Sequence, residues 1–142
     1  MKITEAMSIR SNYSGKLSGF MDELYDLTEE HPFNRATRLY GNTSIEVTPF
    51  GNEIHISDIR SMSPRSGAGT KTMKMLTDLA DKHRVVLGMR VSAYSNDTKH
   101  ITDLEKLVKW YMKMRFRITD ELTDDPDDLE GLDSVEMKYF PR

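Results

Sequence analysis

The sequence predicts an α/β domain in which helices cover a sheet. Three observations predict it: a helical hydrophobic period over Ser14–Glu30, a switch to a two-residue period over residues 44–62, and a return to the helical period after a glycine-rich segment at 63–70. At 142 residues, with 37% hydrophobic and 30% charged side chains, the chain can bury one core and reads as a single domain.

Each element has its own warrant. In Ser14–Glu30, Leu17, Phe20, Met21 and Leu24 recur at i, i+3, i+4 and i+7 while Asp22, Glu23 and Asp26 face away, and Pro32 is expected to stop the helix. A short helical piece over Asn34–Tyr40, closed by Gly41, is expected next. Ser44–Thr48 and Glu53–Met62 read as strands joined by a turn at Pro49–Asn52. In the second of these, Ile54 and Ile56 alternate with Glu53, His55 and Ser57.

Residues 63–70 are turn-forming and feed a helix whose stripe is Met73, Leu76, Ala80 and His83, widened by Met75 and Leu79. Val85–Tyr94 has the strongest strand pattern, and a polar loop follows at Ser95–His100. Thr102 and Glu105 match a capping box for a helix whose apolar face is Leu104, Leu107, Val108 and Tyr111. Phe116–Leu122 and Val135–Phe140 are strand candidates on either side of an exposed acidic loop, Thr123–Asp133, and a further strand is expected at Lys2–Ile9.

Composition excludes several classes. No apolar run reaches the roughly 18–20 residues that span a bilayer, and MKITEAMSIR lacks the apolar stretch of a secretory signal, so a cytoplasmic location is expected. The absence of cysteine removes disulfides, thiolate metal sites and cysteine nucleophiles. No two of His31, His55, His83 and His100 have the spacing of a helical metal pair, so no metal is expected. The net charge of −3 divides unevenly: residues 1–119 carry 18 Lys+Arg against 14 Asp+Glu, a surplus of +4, and residues 120–142 carry 2 against 9, a deficit of −7. The acidic end and the lack of a basic, aromatic cluster argue against nucleic acid.

Two segments can carry chemistry. Gly67 and Gly69 stand directly before a helix, where backbone amides and the helix dipole favour a phosphate, and Arg65 and Lys71 flank them. Neither the GKS/GKT end of a P-loop nor the third glycine of a dinucleotide loop is present, which disfavours ATP, GTP and NAD. In Trp110–Phe116, Tyr111 is either a core aromatic or a phenolic proton donor.

In this order the segments resemble the GNAT family of acetyl-CoA-dependent N-acetyltransferases over residues 53–116. Pro64-Arg65-Ser66-Gly67-Ala68-Gly69 is similar to the family's (Gln/Arg)-x-x-Gly-x-(Gly/Ala) phosphate loop, and Trp110-Tyr111 followed by Phe116 is similar to its (Phe/Leu)-Tyr-x-x-x-Gly-Phe signature. Pro64 replaces the first loop residue, with Arg65 beside it, and Arg115 stands where the family has glycine. The look of the whole is similar to short acetyltransferase-like proteins of bacteriophages, which would place the chain in a host cytoplasm.

The resemblance implies a GNAT-like acyl-CoA N-acyltransferase fold, with a central mixed, mostly antiparallel sheet flanked by helices. Residues 1–52 would form the acceptor side, 53–116 the acetyl-CoA core and 117–142 the last strands. Acetyl-CoA would be the cosubstrate, and the acceptor an amine on a small molecule, a protein lysine or an N-terminus. Arg65, Ser66, Gly67, Ala68, Gly69 and Thr70 would hold the pyrophosphate, and Ile59, Arg60, Ser61 and Met62 the pantetheine arm. Tyr111 would protonate the departing thiolate. His55, on the polar strand face that it shares with Glu53, and Asp58 are the candidate bases. A homodimer is left open. The rival expectation is a non-catalytic protein of the same fold that docks on a host protein through its acidic end.

Overall fold

The computed structural model describes residues 15–61, 67–92 and 104–142. Among them are three helices and seven strands, and every strand pairing with a described register is antiparallel. The backbone divides into two compact units. One runs to Leu87 and includes Phe140–Arg142; the other is Gly88–Tyr139. No described helix is long and apolar enough to cross a membrane.

The first unit opens with α1 (Gly15–Leu27), which buries Leu17, Phe20 and Leu24 as the helical period requires. The helix ends well before Pro32. Arg38 caps it, donating from Nη2 to the carbonyls of Thr28 (2.8 Å) and Tyr25 (3.1 Å) and from Nε to the Thr28 hydroxyl (3.0 Å). A cation on the last carbonyls offsets the negative end of the helix dipole. Glu29–Glu30, expected to be helical, instead forms β1 against β2 (Thr37–Tyr40).

β2 is itself a correction, since Asn34–Tyr40 was expected to be helical. Asn34–Ala36 is a turn, with the Ala36 amide donating to the Asn34 side chain at 3.0 Å and the Thr37 amide to the Asn34 carbonyl at 3.2 Å. Thr37–Tyr40 then pairs with β3 (Thr43–Phe50) through the two-residue turn Gly41-Asn42. Gly41 has φ 59°, a value that glycine adopts without steric cost. Gly51-Asn52 makes the same kind of turn into β4 (Glu53–Ser61), so Pro49 and Phe50 lie in the strand and not in the turn. Pro49 is tolerated because the pairing of β3 with β2 reaches only Glu46, leaving no strand among the described residues on that side to need its N–H.

The β3–β4 register slips once. Glu46 faces Asp58, but Val47 faces Ile56, so Ser57 is an extra residue on β4. The bulge keeps Ile54, Ile56 and Ile59 on one face. Without it, Asp58 would turn inward. α2 (Ala68–His83) buries Met73, Met75, Leu76, Leu79 and Ala80, the stripe expected from the sequence.

The second unit contains most of β5 (Val86–Ser92), α3 (Leu104–Lys113), β6 (Phe116–Ile118) and β7 (Ser134–Tyr139), its strands ordered β5-β7-β6. Leu87, Met89 and Val91 of β5 are buried, as are Leu104, Val108, Phe116, Val135, Met137 and Tyr139. β6 is shorter than the expected Phe116–Leu122. The Asp120 carboxylate ends it by accepting the amides of Leu122 and Glu136, both at 3.0 Å, in place of further strand pairing. The acidic loop is exposed, but two of its residues tie it down: Leu129 is buried and Asp127 pairs with Lys109 of α3 at 2.8 Å. The Thr102 capping position and the strand expected at Lys2–Ile9 lie outside the described residues.

Candidate active site

In the first unit, β4 is followed by the glycine-rich segment and α2. Gly67 precedes the helix at φ 83°, ψ 1°, with no side chain capping the helix. A Cβ there would meet nothing within 4 Å, so glycine is required for backbone conformation and not for space. The first helical amide bond runs from Lys71 to the Gly67 carbonyl at 3.1 Å. The amides of Gly69 and Thr70 therefore precede the ladder and have no carbonyl of their own helix to donate to. Gly67 and Thr70 are exposed, and Ala68 and Gly69 are half-buried. An anion placed before this turn would meet unspent donors and the positive end of a sixteen-residue helix. Met62, Arg65 and Ser66 lie outside the described residues.

At the end of β4, Ile59 faces Ile45, Arg60 faces Ser44 and Ser61 faces Thr43. The Ser44 hydroxyl donates to the Arg60 carbonyl at 3.3 Å. The pairings also assign faces. Thr43, Ile45, Ile54 and Ile56 share the buried face, while Ser44, Glu46 and Thr48 of β3 share the opposite one with His55, Asp58 and Arg60 of β4.

His55 and Asp58, three residues apart, would point to opposite sides of a regular strand. The Ser57 bulge brings them to one side. Glu46 joins them directly across from Asp58. Sequence reasoning passed over it because only the register places it there. Among the described residues, the side chains of Glu46, His55 and Asp58 make no hydrogen bond or ion pair, which leaves all three available as proton acceptors.

In the second unit, Tyr111 lies in the last turn of α3 and is half-buried. Its ring is edge-on to Trp110 at 4.9 Å and to Phe116 at 5.8 Å, and Phe116 meets Tyr139 at 5.5 Å. These contacts fix the ring plane. The helix ends through Met114 and Arg115, whose amides donate to the carbonyls of Tyr111 and Met112, each at 3.0 Å. Arg115 has φ 74°, the left-handed conformation that ordinarily selects glycine after a helix.

Charged groups elsewhere are engaged in structure. Lys109 is held well above the usual ammonium range by the hydrogen bonds that it donates to Asp127 and Glu105. The Asp127 carboxyl is lowered by Lys109. Asp120 is lowered first by the Leu122 and Glu136 amides and then by the charge of Arg90, 3.6 Å away.

No protein-family model matches the chain, and no curated protein sequence does. Among solved structures, it is similar to the anti-CRISPR protein AcrVA5, with 22% identity and a TM-score of 0.51 over 72% of this chain and 95% of that one. It is also similar to nourseothricin acetyltransferase, with 16% identity and a TM-score of 0.49 over 80% and 71% of the two chains. A third likeness is to a Bacillus subtilis acetyltransferase in complex with CoA, with 16% identity and a TM-score of 0.44 over 86% and 82%. At 22% identity the AcrVA5 likeness speaks for fold alone, and the fold is the GNAT-like acyl-CoA N-acyltransferase fold: among the described residues, seven mostly antiparallel strands with three helices.

Proposed function

We propose that this chain is a single-domain, acetyl-CoA-dependent N-acetyltransferase that transfers an acetyl group to an amine by direct attack in a ternary complex. The observation that carries the reading is the Gly67 turn: a left-handed glycine at the entry to α2 that leaves the Gly69 and Thr70 amides ahead of the helical ladder, as binding a pyrophosphate requires. Arg115 supports it independently, because it adopts a glycine-type conformation at the position where the resembling motif has glycine.

In this reading Gly67, Ala68, Gly69 and Thr70 bind the pyrophosphate, with Arg65 and Ser66 beside them. The backbone of Ile59, Arg60, Ser61 and Met62 runs along the pantetheine arm. Asp58 or His55 accepts the proton that the amine loses as its nitrogen attacks the acetyl carbonyl, with Glu46 completing the acidic face. Tyr111 donates its phenolic proton to the sulfur as the C–S bond breaks. The acceptor is an amine on a small molecule or on a protein, at a lysine or an N-terminus.

Thermal unfolding with acetyl-CoA, CoA and ATP tests the binding half. A ligand at 100 times its Kd adds about 2.7 kcal/mol to the stability of the folded state, a shift of several degrees. Acetyl-CoA and CoA should raise the Tm and ATP should not. Gly67→Ala should abolish the shift while leaving a folded protein, since space for the methyl is open and the conformational cost is about 1–2 kcal/mol. For the chemical half, Tyr111→Phe should retain the acetyl-CoA shift and lose turnover with a screened amine. No shift at millimolar acetyl-CoA overturns the proposal and leaves a protein-binding role for the fold.

A further inference from the structure

α1 and α2 meet closely at one end. Gly19 lies against His83, and Glu23 pairs with Lys82 and His83. Along the rest of α2, from Lys71 to Lys82, a cavity of about 400 Å³ lies between the two helices, with Tyr40 of β2 also lining it. Tyr40 faces Thr43 in the register, and Thr43 is fully buried on the helix-covered face of the sheet. The cavity therefore lies on the opposite sheet face from His55 and Asp58.

Leu27, Met75, Leu79 and the Tyr40 ring supply its apolar lining. Leu27 is 47% exposed, although it ends the apolar side of α1. Three lysines also line the cavity, and two are already neutralised: Lys74 by Asp78 at 3.1 Å and Lys82 by Glu23 at 2.7 Å. Lys71 has no carboxylate partner among the described residues, and the Tyr40 hydroxyl has no hydrogen-bond partner among them. The volume suits a small ligand, and the lining leaves one positive charge unbalanced beside an apolar wall.

We propose that this cavity binds a small amphipathic monoanion: its carboxylate meets the Lys71 ammonium, and its apolar body lies against Leu27, Met75 and Leu79. The charge count selects the ligand class. A dianion would leave a charge unmatched, and a neutral molecule would leave Lys71 unmatched.

The test is a titration of the full-length protein with octanoate, and with 1-octanol as a neutral counterpart, read from the side-chain methyl resonances of Leu27, Met75 and Leu79. Octanoate should shift these methyls saturably, and octanol should do so about fivefold more weakly. Lys71→Met should weaken octanoate about fivefold and leave octanol unchanged. Leu27→Glu, an exposed substitution, should weaken octanoate by at least as much through charge repulsion. Absence of saturable shifts, equal affinity for the two probes, or an unchanged affinity in Lys71→Met each overturns the proposal. Adding CoA separates this cavity from the acetyl-CoA reading: octanoate shifts that persist at saturating CoA support an independent site, and their displacement by CoA overturns it.

Discussion

His83 Nε2 lies 3.0 Å from the Glu23 carboxylate oxygen that also takes the Lys82 ammonium at 2.7 Å, so one carboxylate of α1 holds two partners at the C-terminal end of α2. Lys82 and then His83 lower the Glu23 pKa. A carboxyl whose pKa is depressed on folding contributes stability that is present above its unfolded value, and that stability is lost as pH falls through the folded value. Glu23→Gln should therefore lower the urea midpoint at pH 7. The gap between variant and parent should close under acid conditions, below the ordinary carboxylate range. A gap that persists there would mean that Glu23 acts through packing instead of charge.

Gly19 makes the close approach at this crossing. A Cβ there would stand 2.8 Å from His83 Nδ1 and 3.1 Å from Cε1, and the imidazole is anchored to Glu23 on its far side. Gly19→Ala should destabilise by about 1–2 kcal/mol in denaturant melts, with overpacking outweighing the helix-propensity gain. In a His83→Ala background the same substitution should become stabilising by about 0.5–1 kcal/mol. The sign change in this double-mutant cycle is the diagnostic result.

Arg115 holds φ 74° at the exit of α3 and is exposed. Arg115→Gly should raise stability by about 0.5–1 kcal/mol by removing the left-handed penalty, partly offset by a more flexible unfolded chain. A loss of stability would show that the Arg115 side chain contributes more than its backbone conformation costs.

Thr43 is fully buried, and its hydroxyl has no hydrogen-bond partner among the described residues. Thr43→Val keeps the shape and removes the unsatisfied group, so it should stabilise by about 1 kcal/mol, measured as a higher Tm. A destabilised Val variant would imply a partner such as a bound water.

The elements that the sequence determined alone are those whose pattern is long and local. The buried positions of α2 and β5 follow from periodicity over many residues, and the Gly67 turn follows from the freedom of one residue type to adopt positive φ. Tertiary structure decided the rest, because strand pairing is non-local. Four residues, Thr37–Tyr40, are too few to show a period, and only the partner strand β3 makes them extended. Glu29–Glu30 leaves the helix because Arg38, distant in sequence, takes the last carbonyls. Asp58 shares a face with His55, and Glu46 stands opposite it, only because Ser57 is bulged out. A bulge has no composition of its own, and the hydrogen bonds of both strands must be satisfied before it exists. The face that holds Glu46, His55 and Asp58 is therefore a product of register, whereas the loop was legible in its glycines.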